Sequence, residues 1–276
     1  MQLELENVCI TYPQSGNILD HINLQIDKGD FVGIVGKSGS GKTTLIETIS
    51  GLHKPHEGFV YFEGLDIYNK NFDQLNYRRK LQTIFQFPEN QFFENNVFEE
   101  TAFGLKMLKI PADEIEFKTL NILKKLYIDE ETARTTSPFS LSGGQKRKLA
   151  IACALVLEPK ILLLDEPFAG LDSEGKSNLI KILKEEKKKG TTILLVSHDP
   201  DLLCEIADKI IVLSDGKIVR TAPPVEIYTH DNMILFGIGL PNTRETADLI
   251  SLDLSDSLKY DSFMTKLINK LSVKKS

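Results

Sequence analysis

The chain has 276 residues, 41% hydrophobic and 26% charged, with a formal net charge of -6. This is the composition of a soluble globular chain with room for one domain, its core and a modest extra segment. The acidic balance argues against general nucleic-acid binding, and no apolar run approaches the length of a membrane span. The three cysteines, Cys9, Cys153 and Cys204, show neither paired nor metal-ligand spacing.

Gln2–Ile10 alternates apolar and polar residues and reads as a strand rather than a secretory leader, so the cytoplasm is the expected compartment. The strand is expected over Leu3–Thr11. Tyr12 follows it, just before Pro13. An aromatic ring there is able to stack on an adenine, although a strand-end Tyr as often packs on a core.

Phe31–Val35 is an apolar run of the kind that forms a covered strand. It leads into Gly36-Lys37-Ser38-Gly39-Ser40-Gly41-Lys42-Thr43-Thr44, which fits G-x-x-x-x-G-K-[ST]. A helix is expected over Thr43–Ile49, with Gly51 as its C-terminal stop. The loop thus lies between strand and helix, where backbone N–H groups and a helix N-terminus hold anions. Lys42 suits the β- and γ-phosphates, and the Thr43 hydroxyl suits Mg²⁺.

Residues 58–85 read as strands with turns, including Val60–Ile67. Leu81–Gln86 reads as one more strand, with Gln86 at its end. Its neutral amide is able to bond both a metal-bound water and a neighbouring segment, which suits a sensor. Residues from about 88 to 139 read as helical, most clearly Glu99–Leu108 and Asp113–Leu126.

Leu141-Ser142-Gly143-Gly144-Gln145 precedes a run of good helix formers, with Leu149, Ala152, Cys153 and Val156 on one face. Ser142 is a natural N-cap, and two glycines at a helix start make a second anion site. Ile161–Leu164 reads as a central strand ending in Asp165 and Glu166. Ligands of such sheets sit at the carboxyl ends of the strands. Asp165 is placed for Mg²⁺, and Glu166 to orient or deprotonate an attacking water. Thr191–Val196 repeats the pattern and delivers His198 to a strand end. Lys184–Lys189 closes a helix before Gly190 as a solvated charge run. Asp215-Gly216 joins two apolar runs as a hairpin. Beyond about residue 224, Val225–Tyr228 and Asp261–Leu271 read as helical, separated by a polar loop over 239–243.

Tyr12, Gly36–Thr44, Gln86, Leu141–Gln145, Asp165-Glu166, Ala169–Asp172 and His198 occur in the order found in ATP-binding cassette (ABC) proteins. The chain resembles their nucleotide-binding subunits over roughly residues 1–225. The resemblance implies an α/β P-loop NTPase fold. It would comprise an ABC nucleotide-binding domain over 1–224, with an antiparallel β subdomain and a helical signature subdomain over about 88–139. A small C-terminal α-rich appendage over 225–276 is expected to dimerise. It also implies a dimer that closes head-to-tail around ATP. Tyr12, Gly36–Thr44 and Gln86 would bind ATP. Thr43, Gln86 and Asp165 would serve Mg²⁺, and Glu166 and His198 catalysis. Ser142, Gly143, Gly144 and Gln145 would contact the partner's ATP, and Asp172 would link the two sites.

Phe85-Gln86-Phe87-Pro88-Glu89-Asn90-Gln91-Phe92-Phe93 and Val97–Gly104 resemble the ATPases of energy-coupling factor (ECF) importers, nearer the second of their two ATPase paralogues. That resemblance implies uptake of a vitamin or metal ion. The partners would be a second ABC ATPase subunit (paralogue or self), a transmembrane scaffold and a small integral-membrane substrate-binding protein, with no nucleic acid. The chain would lie on the cytoplasmic face of the membrane as a peripheral subunit. Phe87, Phe92 and Phe93, expected exposed near Glu89 and Glu94, would form an acidic-rimmed groove for a basic amphipathic helix. A conventional ABC transporter ATPase is the alternative, and a soluble ABC ATPase acting on nucleic acid or ribosomes a further one.

Overall fold

The structure, a computed structural model, describes residues 1–12, 16–255 and 257–273. In chain order, strands β1 (Leu3–Tyr12), β2 (Gly16–Ile26) and β3 (Phe31–Val35) precede helix α1 (Lys42–Ile49) and strands β4 (Glu57–Phe62) and β5 (Leu65–Asp66). Helix α2 (Gln74–Lys80) and strand β6 (Leu81–Ile84) lead to helices α3 (Val97–Met107), α4 (Ala112–Lys125), α5 (Glu130–Thr135) and α6 (Gly143–Leu155). Then come β7 (Ile161–Asp165), α7 (Ser173–Lys188), β8 (Thr192–Val196), α8 (Pro200–Ile206), β9 (Lys209–Ser214) and β10 (Lys217–Ala222). Helices α9 (Pro224–Ile227), α10 (His230–Phe236), α11 (Asn242–Leu249) and α12 (Tyr260–Val273) complete the described chain.

The chain forms two compact units, Met1–Phe72 with Leu194–Ser276 and Asp73–Ile193, the division falling within β8. The segment beyond residue 224 therefore groups with the N-terminal residues. In the first unit, β2-β1-β4-β5 form a four-stranded sheet. Its pairings are antiparallel, with Leu3 opposite both Ile26 and Phe62. β3 pairs in parallel with β9, which turns back into β10. Every residue of β3 is buried, which matches its uninterrupted apolar run. The β9–β10 turn places Asp215 (φ 48°) and Gly216 (φ 74°) in the left-handed region that a two-residue hairpin of primed type demands.

In the second unit β6 and β7 pair in parallel, from Leu81 opposite Ile161 to Ile84 opposite Leu164. Ala102, Leu105, Ile115 and Val156, from the α3, α4 and α6 region, form a buried helical core against Phe98, Ile110, Ile122 and Leu157. Polar caps define the helix starts. Asn96, Asp129 and Asp172 each accept a hydrogen bond from the backbone N–H three residues on. Such caps contribute about 1 kcal/mol each.

Three readings need correction. The strand expected over Leu81–Gln86 stops at Ile84, and Gln86 is exposed. Part of the stretch read as strands and turns is helix α2, started by Asp73 accepting from the Asn76 N–H and anchored by buried Tyr77. The polar loop over 239–243 runs only to Pro241, because Asn242 opens α11. Its backbone N–H and side-chain amide both donate to Asp201, at 2.9 and 2.6 Å. That cap comes from 41 residues away, so no local pattern announces it.

Candidate functional site

The Gly36–Thr44 loop crosses from β3 to α1 in the first unit. Gly36 (φ 154°), Gly39 (φ 79°) and Gly41 (φ 101°) all have backbone angles that side chains resist. Space excludes side chains as well. A Cβ on Gly36 would lie 2.1 Å from the Leu213 carbonyl oxygen, and one on Gly41 2.8 Å from that of Ile18. The Lys42 ammonium folds back over the loop and donates to the Gly36 and Lys37 carbonyls, both at 2.8 Å. It is thus held beside the loop although its side chain is almost wholly buried. Gly41 supplies no side-chain cap to α1, and no acidic residue occupies the first turn. A loop with these properties offers backbone donors, a helix-dipole end and a cation to an anionic ligand.

His198 occupies the turn from β8 to α8. Ser197 Oγ accepts from the Asp199 N–H at 3.1 Å, and Asp199 caps α8 through the Leu202 N–H at 3.0 Å. His198, Ser197 and Gly36 line one cavity of about 40 Å³ with Tyr228 and Gly237. Tyr228 is a residue that the sequence reading missed. It is almost fully buried, and burial pushes its hydroxyl pKa well above the usual range. Gly237 approaches the loop so closely that a Cβ there would meet Lys37 Cε at 2.3 Å. Tyr12 ends β1 half-buried, its hydroxyl 3.0 Å from His53 Nε2.

The second unit carries the remaining predicted residues. Asp165, buried, ends β7. Glu166 follows with φ 50°, a conformation uncommon for a side-chain-bearing residue, in a turn where its carbonyl accepts from the Ala169 N–H. Ser142 caps α6 in a reciprocal box: its Oγ accepts from the Gln145 N–H, and Gln145 Oε1 accepts from the Ser142 N–H. The box leaves the Gly143 and Gly144 N–H groups at the exposed first turn, where a helix has no internal acceptors for them. Asp172 caps α7 through the Gly175 N–H at 2.7 Å.

Arg147 was not foreseen. It lies in a Lys-Arg-Lys run, yet its side chain is buried. Its guanidinium donates to the Phe85 carbonyl at 3.1 Å and to the Gln86 carbonyl at 2.7 Å. The signal available in advance was only its helical spacing, three, four and seven residues before Ala150, Ile151 and Ala154, which are buried with it on a second face of α6. The expected aromatic groove also needs correction. Phe87 and Phe93 are 61% and 58% exposed, but Phe92 is 8% exposed and belongs to the core. The side chain of Glu89 lies outside what is described. Glu100 is buried and accepts from the Phe93 and Glu94 N–H groups at 2.9 and 2.8 Å, shaping this turn. Beside it lies a cavity of about 230 Å³, lined among others by Gln82, Phe92, Glu100, Phe103 and Cys153.

The cysteine spacing likewise hides a meeting in space. Cys9 Sγ lies 3.5 Å from His21 Nδ1 across β1 and β2, near Asp20. Both neighbours have other partners: Asn7 Oδ1 is 2.8 Å from His21 Nδ1, and Lys217 is 3.0 Å from Asp20.

A family model described as ABC transporter matches residues 19–169. The energy-coupling factor transporter ATP-binding protein EcfA2 of Caldanaerobacter subterraneus subsp. tengcongensis is 41% identical over 254 residues, spanning 90% of this chain and 88% of that protein. The protein of the same description from Streptococcus pyogenes serotype M3 is 39% identical over 254 residues, 90% of each chain. Among solved structures, cbiO1 of Clostridium perfringens, part of the ABC transporter complex cbiONQ, is 34% identical with a TM-score of 0.72. That match covers 84% of this chain and 92% of that one. The dimeric cassette MJ0796 bound to ADP and Pi, in a post-hydrolysis state, is 32% identical with a TM-score of 0.73, covering 80% and 98%.

Fold and site together define the class, an α/β ATPase built as an ABC nucleotide-binding domain. The chain belongs to the ABC transporter family, in its branch of energy-coupling factor transporter ATP-binding proteins, and is an ATPase motor subunit of an ECF-type importer.

Proposed function

We propose that the chain binds Mg²⁺ and ATP, pairs with a second ABC ATPase subunit and drives uptake of a vitamin or metal ion. Its other partners are a transmembrane scaffold and a small integral-membrane substrate-binding protein. The chain sits peripherally on the cytoplasmic face of the membrane. Among its described residues no helix is long and apolar enough to cross one. The observation that carries the ATP reading is the Gly36–Thr44 loop, whose glycine angles, uncapped helix start and inward Lys42 all fit a triphosphate.

Tyr12 stacks on the base, and residues 36–44 with Lys42 enclose the phosphates. Glu166 orients the attacking water and takes its proton, and His198 contacts the γ-phosphate. Thr43, Gln86 and Asp165 offer hard oxygen donors, the chemistry that suits Mg²⁺. When bound, that ion neutralises charge on the phosphate oxygens. Ser142, Gly143, Gly144 and Gln145 present the α6 start to the ATP of the partner cassette, and Asp172 couples the two sites. The C-terminal appendage, 225–276, contributes to dimer contact.

For the scaffold, the supporting feature is the exposed pair Phe87 and Phe93 next to Glu94 and the cavity beside Glu100. Such an apolar surface with acidic edges fits a basic amphipathic cytoplasmic helix. The separate membrane protein selects the transported substrate. Steady-state ATP hydrolysis by the purified complex tests the site. Turnover should vanish in excess EDTA and return with Mg²⁺, whereas metal-independent turnover would overturn the roles of Thr43, Gln86 and Asp165.

A further inference from the structure

Tyr12 is braced by residues that no motif includes. Its hydroxyl lies 3.0 Å from His53 Nε2, and the two rings meet at 85° with centroids 5.8 Å apart. A phenol oxygen lies in the plane of its ring. His53 therefore touches the rim of Tyr12 and leaves the ring faces clear of itself, as a stacking platform requires.

His53 is itself held from two sides. Glu47 Oε2 lies 3.3 Å from the same Nε2 atom. A carboxylate brings no proton, so the arrangement is satisfied when Nε2 carries hydrogen and shares it between Glu47 and the Tyr12 oxygen. The backbone of His53 is fixed by Tyr68, whose hydroxyl donates to its carbonyl at 2.7 Å. Burial, reinforced by Asp66, pushes the Tyr68 pKa up to about 12, so this donor keeps its proton throughout the neutral range. Three residues on, His56 ties the same segment to β1. Its N–H donates to the Cys9 carbonyl at 2.9 Å, and its Nδ1 accepts from the Thr11 N–H at 3.3 Å.

Glu47 belongs to α1, the helix that begins at Lys42. The path Tyr12–His53–Glu47 thus joins the ring at the end of β1 to the helix that follows the glycine loop. We propose that His53, braced by Glu47, is a positioning residue that holds Tyr12 in the orientation that receives a purine base. It acts through Tyr12 and touches no reacting atom. The proposal rests on Tyr12 being the base platform, and a free tyrosine turning about two side-chain bonds would have to be ordered by each incoming nucleotide.

The test compares Tyr12→Ala, His53→Ala and His53→Gln in the full chain. It measures dissociation constants for ATP and for inorganic tripolyphosphate, which has no base. Gln keeps an N–H donor in place of the imidazole. His53→Ala should weaken ATP binding roughly five- to tenfold and leave tripolyphosphate binding within about twofold. His53→Gln should recover most of the loss, and His53→Ala should add little to Tyr12→Ala. If Tyr12→Ala leaves ATP affinity unchanged, the base-platform reading fails and takes the proposal with it. If Tyr12→Ala weakens ATP but His53→Ala does not, the platform stands and the role of His53 is overturned. Equal weakening of both ligands by His53→Ala also overturns it, since that marks general damage to the loop.

Discussion

Gly36 and Gly41 are where single atoms matter most. Their backbone angles and the carbonyls 2.1 and 2.8 Å from an added Cβ leave no room for alanine. Gly41→Ala should weaken ATP binding more than tenfold, read by calorimetric titration, because the Ile18 carbonyl that the new methyl meets is backbone and cannot swing away. Glu166→Gln keeps the shape of the side chain and removes its basicity. It should retain ATP affinity, lower turnover about a hundredfold or more and accumulate a closed dimer on size exclusion with Mg²⁺ and ATP. Unchanged turnover would contradict the role given to Glu166. The loop and the acidic pair were legible in the sequence because their chemistry is local, a fixed spacing after an apolar strand. Arg147, Tyr228 and His53 were not. Arg147 and His53 meet partners far along the chain, the Phe85 carbonyl 62 residues away and the Tyr12 hydroxyl 41 residues away, and Tyr228 shares a cavity with the distant Gly36.

Helix α6 shows how an element joins functions. Its N-terminal box presents Gly143 and Gly144, and one turn later Arg147 holds the backbone of Phe85 and Gln86. Arg147→Met should remove both charge-assisted bonds and cost about 2–4 kcal/mol, seen as a lower Tm. An unchanged Tm would show that the guanidinium is not a clamp. The turn before α3 separates core from surface in adjacent residues. Phe92→Ser should cost about 3 kcal/mol and lower Tm by roughly 6–12 °C. Phe93→Ser, more than half exposed, should barely move Tm and instead weaken assembly with the membrane subunits, measured by co-purification. Periodicity identified α3, α4, β3, β7 and β8 because their apolar residues follow one repeat. It passed over α2, a short helix started by Asp73, α10, and α11, whose start depends on Asp201.

At the scale of the molecule, Gly36–Thr44 and His198 of the proposed site belong to one unit, and Asp165, Glu166 and Ser142–Gln145 to the other. An α6 start left exposed with free first-turn donors is what a cassette offers to a second cassette. The tail beyond residue 224 joins the first unit, with Gly237 against Lys37 and Asn242 on Asp201. Composition and motif order carried the family because every motif is contiguous. The tail's docking was invisible because it is built from single contacts between distant segments. The most direct measurement is to tag this chain, extract it from its native membranes in mild detergent and identify the co-purifying proteins by mass spectrometry. The account predicts a second cassette, one transmembrane scaffold and small integral-membrane substrate-binding proteins. Conventional permeases with an external binding protein, or ribosomes or nucleic acid alone, would contradict it.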